Sequence, residues 1–237
     1  MKYLMTFGYD GSNFNGFQRQ KDVKNVQGTI EKELSKILNS PIIIKGSGRT
    51  DAGVHAINQC AHFEYPKVNT HKLKKELNKS FNNEIIVKSI KKVDSDFHAR
   101  FSVKYKEYYY VLNCSRNKRN DKYFYTTYKN LDINKMKEAA NLFIGCHDFR
   151  NFVSGKRDDY TTYIKSIKIV EKKDLIIMKF KGVGFYRYMV RHLAGSIYDV
   201  GRGKLELEEL QELIDKKVIK ESSVLPAYGL YLVKIWY

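Results

Sequence analysis

GSGRTDAGVHA (46–56) stands between an apolar run, Ile42 to Ile44, and an alternating one, Gln59 to Tyr65. Almost any polar turn can join two strands. This connector is already loosened by Gly46, Gly48 and Gly53, yet it also carries Arg49, Thr50, Asp51 and His55. The elements on either side decide what fold presents those residues.

Upstream, KYLMTFGYD sets Tyr3, Met5, Phe7 and Tyr9 on one face of a strand. VQGTIEKELSKILN places Ile30, Leu34, Ile37 and Leu38 at helical spacing, with Pro41 beyond its end. IIIKGSG and QCAHFEY are expected as strands on either side of the loop. Downstream, THKLKKELNKSF predicts a short helix with a basic face, and EIIVKSIKKV predicts a strand. KEYYYVLNC, rich in aromatic and branched residues, predicts another strand.

The polar stretch SRNKRNDKY (115–123) is the expected seam between two domains, 1–114 and 115–237. The second half repeats the element order without repeating the sequence. A helix over 134–143 precedes strands near 164–171 and 175–183. A helix over 185–200 carries Met189, Leu193 and Ile197, another near 206–215 carries Leu207, Leu210 and Leu213, and GLYLVKIWY closes the chain as a strand. Strands and helices without strict βαβ alternation argue an α+β fold. Two such halves are expected to leave a cleft between them.

Composition narrows the partners. The chain has 237 residues, 43% of them hydrophobic, enough for one large or two small domains with a sizeable core. No run approaches the roughly 20 apolar residues of a membrane span, and MKYLMTFGYDG is too weakly apolar for a signal peptide. Cys60, Cys114 and Cys146 are far apart, with no CxxC pair. Neither a disulfide framework nor a metal site is expected, and all three are expected as small buried hydrophobes in a cytoplasmic protein. Forty-three Lys and Arg against 26 Asp and Glu leave a net charge of +17, accompanied by 18 tyrosines and 13 phenylalanines. A polyanion is the natural partner of such a surplus, because neutralised phosphates release counterions. Aromatic side chains add stacking surfaces for unpaired bases. Only ten of the cations are arginine, so a planar, bidentate donor has been chosen where it occurs. Arg49, Arg100, Arg187 and Arg191 each lie in a segment that stands out on other grounds.

Asp51, two residues after an arginine in a glycine-rich loop, is placed to stay ionised and accessible; a turn aspartate bonding its own backbone is the plainer alternative. His55 has no second histidine or cysteine at metal-binding spacing. DFHARFSVKYKEYYY (96–110) mixes cations, aromatics and a histidine, and strand alternation puts Tyr108 and Tyr110 on one face, Tyr109 and Val111 on the other. GVGFYRYMVRHLAGSIYDVGRG (182–203) passes from strand to helix, and its glycines fall short of a dinucleotide-binding loop. Arg187 and Arg191, four apart, are expected on one helical face, where two guanidiniums need a phosphate or a carboxylate such as Asp51.

GRTDAGVHA, with YDGSNFNGFQRQ before it and DFHARFS…YYY, GFYRYMVRHLAGSI and PAYGLYLVKIWY after it, resembles the TruA family of tRNA pseudouridine synthases. The likeness runs from about Tyr9 to Tyr237, with five motifs in the family's order. It implies two ferredoxin-like halves with a joined antiparallel sheet and a basic central cleft, in a homodimer without cofactor. It also implies conversion of uridine to pseudouridine at positions 38 to 40 of the tRNA anticodon stem-loop. Asp51 is then the catalytic residue. Arg49 fills the space of the extruded uridine and holds the RNA, Tyr108 stacks on the target uracil, Arg191 pairs with Asp51, and Leu230 forms part of an apolar wall. His55, Gln59 and Arg100 match the pattern without an assigned role. The same chemistry on another RNA, or a non-catalytic RNA-binding module, are the alternatives. Phe17 replaces a usual tryptophan, NKSFNNEIIV lacks a usual Leu-Pro, and Lys165 replaces a common arginine; none of these touches Asp51, Arg49, Tyr108 or Arg191.

Overall fold

The computed structural model describes residues 1–115 and 122–237, so most of the expected seam at 115–123 lies outside the described residues. Along the chain run β1 (Lys2–Tyr9), α1 (Val26–Leu38), β2 (Lys45–Gly46), β3 (His55–Glu64), α2 (Thr70–Ser80), β4 (Ile85–Val93), β5 (Tyr105–Asn113) and β6 (Tyr125–Thr126). Then follow α3 (Ile133–Leu142), β7 (Gly145–Asp148), β8 (Thr161–Lys172), β9 (Leu175–Gly182), α4 (Met189–Gly201), α5 (Leu207–Ile214) and β10 (Leu230–Trp236). This is the mixed α+β class. Two compact units are formed, one from Met1–Lys104 with Leu232–Tyr237, the other from Tyr105–Tyr231.

In the first unit, strands lie in the order β4-β1-β3-β10, with β2 on β3. β1 runs antiparallel to β3 and to β4. Tyr3, Met5, Phe7 and Tyr9 all point into the core, as their alternation predicts, alongside Ile30 and Leu34 of α1 and Leu73 and Leu77 of α2. α1 starts at Asn25, whose side chain accepts from the Gly28 N–H, and stops at Asn39 in the left-handed conformation at φ 48°. The run Ile42–Ile44 is not the expected strand, because α1 side chains take its amides. The Ile42 N–H donates to Ser35 Oγ at 2.8 Å and the Ile44 N–H to Glu31 Oε1 at 3.1 Å. Ile42 and Ile44 are buried while Ile43 is 62% exposed. Strand pairing is confined to Lys45–Gly46, opposite His62 and Ala61. β3, in turn, begins at His55, inside the motif.

In the second unit the order is β5-β9-β8-β7, antiparallel throughout, and β6 runs parallel beside the end of β5. α3 packs against α4, α5 and β8. Apart from half-buried Arg191, every residue of α4 is buried. Close approach makes this possible: a Cβ on Gly195 would lie 2.2 Å from Ser223 O, and one on Gly201 would lie 2.4 Å from Met136 Cγ. The helix expected from residue 185 begins at Met189. Tyr188 precedes it at φ 62°, ψ −3°, so Arg187 lies outside the helix and does not share a helical face with Arg191. The cysteines also depart from expectation, since Cys60 is buried but Cys114 and Cys146 are exposed. Among the described residues, no helix is long and apolar enough to cross a membrane.

Candidate active site

In the first unit the loop between β2 and β3 is fixed from both sides. Ser47 donates its N–H to Cys60 O at 2.8 Å and its hydroxyl to Gln59 Oε1 at 2.6 Å. The Gln59 amide nitrogen reaches back to Gly48 O at 3.2 Å, so one buried glutamine clamps two loop residues. Thr50 is buried: its hydroxyl lies 2.8 Å from Tyr9 Oη, and its carbonyl accepts from the Phe17 N–H at 3.0 Å. Burial pushes the Tyr9 phenol up to about 12, against the opposing pull of its bonds to Thr50 and Gln59, so it stays a neutral hydrogen-bonding post. The Val54 N–H donates to Asp51 O at 3.1 Å and closes the turn.

His55, at the start of β3, is buried, and its Nδ1 lies 3.1 Å from both Gly11 N and Asp10 Oδ1. An N–H group can only donate, so Nδ1 accepts from Gly11. Asp10 Oδ1 meanwhile accepts from the Ser12 N–H at 2.9 Å and the Ser12 hydroxyl at 2.7 Å. The segment 10–17 is pressed against the loop. A Cβ on Gly11 would sit 2.2 Å from Val54 O, and one on Gly16, at φ 82°, would sit 3.0 Å from Thr50 O. Within this frame Asp51 is half-buried and Arg49 exposed.

The second unit carries the other three expected site residues. Tyr108 is buried in β5 and meets Phe185 edge-on, centroids 5.2 Å apart at 75°. Arg191, on the first turn of α4, donates from Nε to Leu225 O at 2.7 Å and stands over the Tyr188 ring at 4.4 Å. Arg187 stands over the same ring at 5.0 Å. Tyr188 in its left-handed conformation is therefore stacked by two guanidiniums. Leu230 is buried at the start of β10. Tyr110, on the buried face with Tyr108, donates to Pro226 O at 2.8 Å. A Cβ on Gly229 would lie 2.8 Å from the Tyr110 ring, so that glycine is required for Tyr110 to pass. Among the described residues, no three His, Cys, Asp or Glu side chains gather as a metal site needs.

Arg49 and Asp51 thus belong to one unit, and Tyr108, Arg191 and Leu230 to the other. The sequence left Gln59 without a role and gave no bracing role to Tyr9, Gly11, Gly16 or Phe17; all five shape the loop without being site residues themselves. The signal was present in YDGSNFNGFQRQ, whose glycines and aromatics do not fit an ordinary strand-to-helix connection.

Comparison with known proteins covers nearly the whole chain. A family model described as tRNA pseudouridine synthase matches residues 5–102 and 139–237. The tRNA pseudouridine synthase A of Lactobacillus helveticus is 38% identical over 248 residues, spanning 100% of this chain and 94% of that protein. That of Caldicellulosiruptor bescii is 36% identical over 242 residues, 99% and 98% of the two chains. A third, from Streptococcus pyogenes, is 36% identical over 246 residues, 100% and 99%.

Proposed function

Since the chain belongs to the tRNA pseudouridine synthase family, a family of isomerases, we propose that it converts uridine to pseudouridine at positions 38 to 40 of the anticodon stem-loop of tRNAs. Asp51 is the catalytic carboxylate, and the enzyme works in the cytoplasm as a homodimer whose basic central cleft holds the RNA. In the reaction the N1–C1′ bond breaks, the uracil turns, and a C1′–C5 bond forms. C5 loses its hydrogen as a proton and N1 gains one, so no electrons are exchanged with a third species.

The observation that carries this reading is the locked loop. Thr50, just before Asp51, is held by its side chain and its carbonyl, and Val54 ties back to Asp51 O. A carboxylate on a backbone held this firmly is pre-oriented, which removes an entropic and reorganisation cost from the chemical step. A uridine within the stem must leave its stack at a cost of a few kcal/mol. Phosphate contacts from a chain of net charge +17 offset that cost and make binding salt-sensitive. Arg49, exposed beside Asp51, is assigned to hold the RNA where the uridine has left. Tyr108 is assigned to the uracil face, Arg191 to the carboxylate as its cation, and Leu230 to the apolar wall.

The test is tritium release from transcripts labelled at C5 of uridine, because forming C1′–C5 frees that hydrogen. Release is expected only from tRNAs with uridines at positions 38 to 40. Release from some other RNA and not from these would overturn the tRNA address and leave the chemistry standing.

A further inference from the structure

The motif DFHARFS (96–102) has been given no role in binding or catalysis, yet it forms a heavily anchored turn of the first unit. Lys2 donates from Nζ to Ser95 O at 2.5 Å and to Phe97 O at 2.9 Å. The Ala99 N–H donates to Nδ1 of buried His62 at 3.1 Å, and Tyr237 Oη donates to Ala99 O at 3.0 Å. The Ser102 N–H reaches His98 O at 2.9 Å, and the His98 N–H reaches Ser102 Oγ at 3.0 Å. The Arg100 N–H donates to His98 Nδ1 at 3.1 Å. Phe97 packs edge-on against Tyr237, centroids 4.9 Å apart. A turn this constrained does not need an apolar side chain in water for its own stability.

It displays one nonetheless. Phe101 is 76% exposed, the highest value among the large hydrophobic residues described. Its ring leans on His98, centroids 4.4 Å apart at 31°, and the Arg100 guanidinium stands 5.7 Å from its centre. The surroundings are cationic: burial, together with Lys45, Lys2 and Arg100, holds the His98 imidazole below its ordinary range. An aromatic plane on a rigid base, with a guanidinium beside it, is what stacking on an unpaired base next to a phosphate requires. Like charge disfavours a second copy of the same surface here, whereas a polyanion is favoured.

We propose that the Arg100–Phe101 turn is an RNA-binding element, Phe101 stacking on an unpaired base of the substrate and Arg100 contacting a neighbouring phosphate. This rests on the reading of the chain as an enzyme acting on a tRNA stem-loop. The turn is seated on β3 through His62, opposite Lys45 at the base of the hairpin whose tip carries Asp51. Substrate held at the tip is thereby gripped at a second point, on a turn bonded to the same hairpin.

The test uses the full chain and an anticodon stem-loop transcript carrying 2-aminopurine in its loop. Affinity, fluorescence quenching and sedimentation are read for wild type, Phe101→Ala, Phe101→Trp and Arg100→Gln. Phe101→Ala is expected to weaken binding by about 5- to 100-fold and to relieve the quench, with thermal midpoint and sedimentation unchanged. Phe101→Trp restores both. Arg100→Gln lowers the slope of log affinity against log salt by about one. Equal affinity and quench in wild type and Phe101→Ala overturns the proposal. So does a loss accompanied by altered sedimentation, which makes the turn a contact between copies, and so does a wild type that does not bind the stem-loop. Wild type that binds and quenches but releases no tritium from any RNA sinks the enzymatic reading and leaves the RNA contact standing.

Discussion

The Asp51 loop and the approach to α4 hold their key residues in opposite ways. Around Asp51 the restraints are buried and neutral: Tyr9 to Thr50, Ser47 to Gln59, Gly11 to His55. Around Arg191 they are charged and nearer to water, with Arg187 exposed and two guanidiniums stacked on a half-buried tyrosine in a left-handed conformation. Neutral hydrogen bonds in a core are insensitive to salt and costly to leave half-made. Cation–π contacts at an exposed site contribute less and let the side chains swing. The loop is built to hold one backbone geometry, and the α4 approach is built to present charge.

That contrast can be broken most severely at Gly11. Gly11→Ala forces a methyl group into Val54 O, and because the obstacle is backbone the loop must shift. A loss of about 3 kcal/mol in urea unfolding is expected, together with loss of isomerisation. An unperturbed variant shows that the segment 10–17 does not brace the loop. Thr50→Val comes next. It removes one partner of the Tyr9 hydroxyl while keeping the volume, at an expected cost of about 1–3 kcal/mol, and Tyr9→Phe in the same background recovers part of it. If the two changes simply add, the bond contributes nothing. Arg187→Gln is the mildest. Stability should fall by less than about 1 kcal/mol, and a larger loss would place the α4 approach in the same class as the Asp51 loop.

Much of this architecture is legible in the amino-acid order, and the exceptions share a cause. α1 can be read from the spacing of Ile30, Leu34, Ile37 and Leu38 with Pro41 beyond them, and β1 from its alternating apolar residues, because these signals are local. Ile42–Ile44 misleads because its amides bond to Ser35 and Glu31 of α1, partners that an apolar run does not announce. The start of α4 misleads because Tyr188 takes a conformation usually left to glycine or asparagine, between backbone bonds that run from the Ser154 N–H to Arg187 O and from the Met189 N–H to Tyr186 O. Asp51 itself is an ordinary turn aspartate by spacing alone; only the ordered set of motifs around it singles it out. Nor does the sequence reveal that His62 and His98, 36 positions apart in the chain, meet at 4.7 Å to seat the turn that displays Phe101.

The role proposed for Asp51, carrying out the isomerisation from a rigidly held loop, stands or falls on a single substitution. Wild type and Asp51→Ala are assayed side by side for tritium release from C5-labelled tRNA and for affinity to the same RNA. Release is expected to fall by at least about a thousandfold in Asp51→Ala, while affinity stays within about tenfold, since removing one anion from a basic protein does not weaken phosphate contacts. Release that survives the substitution would contradict it.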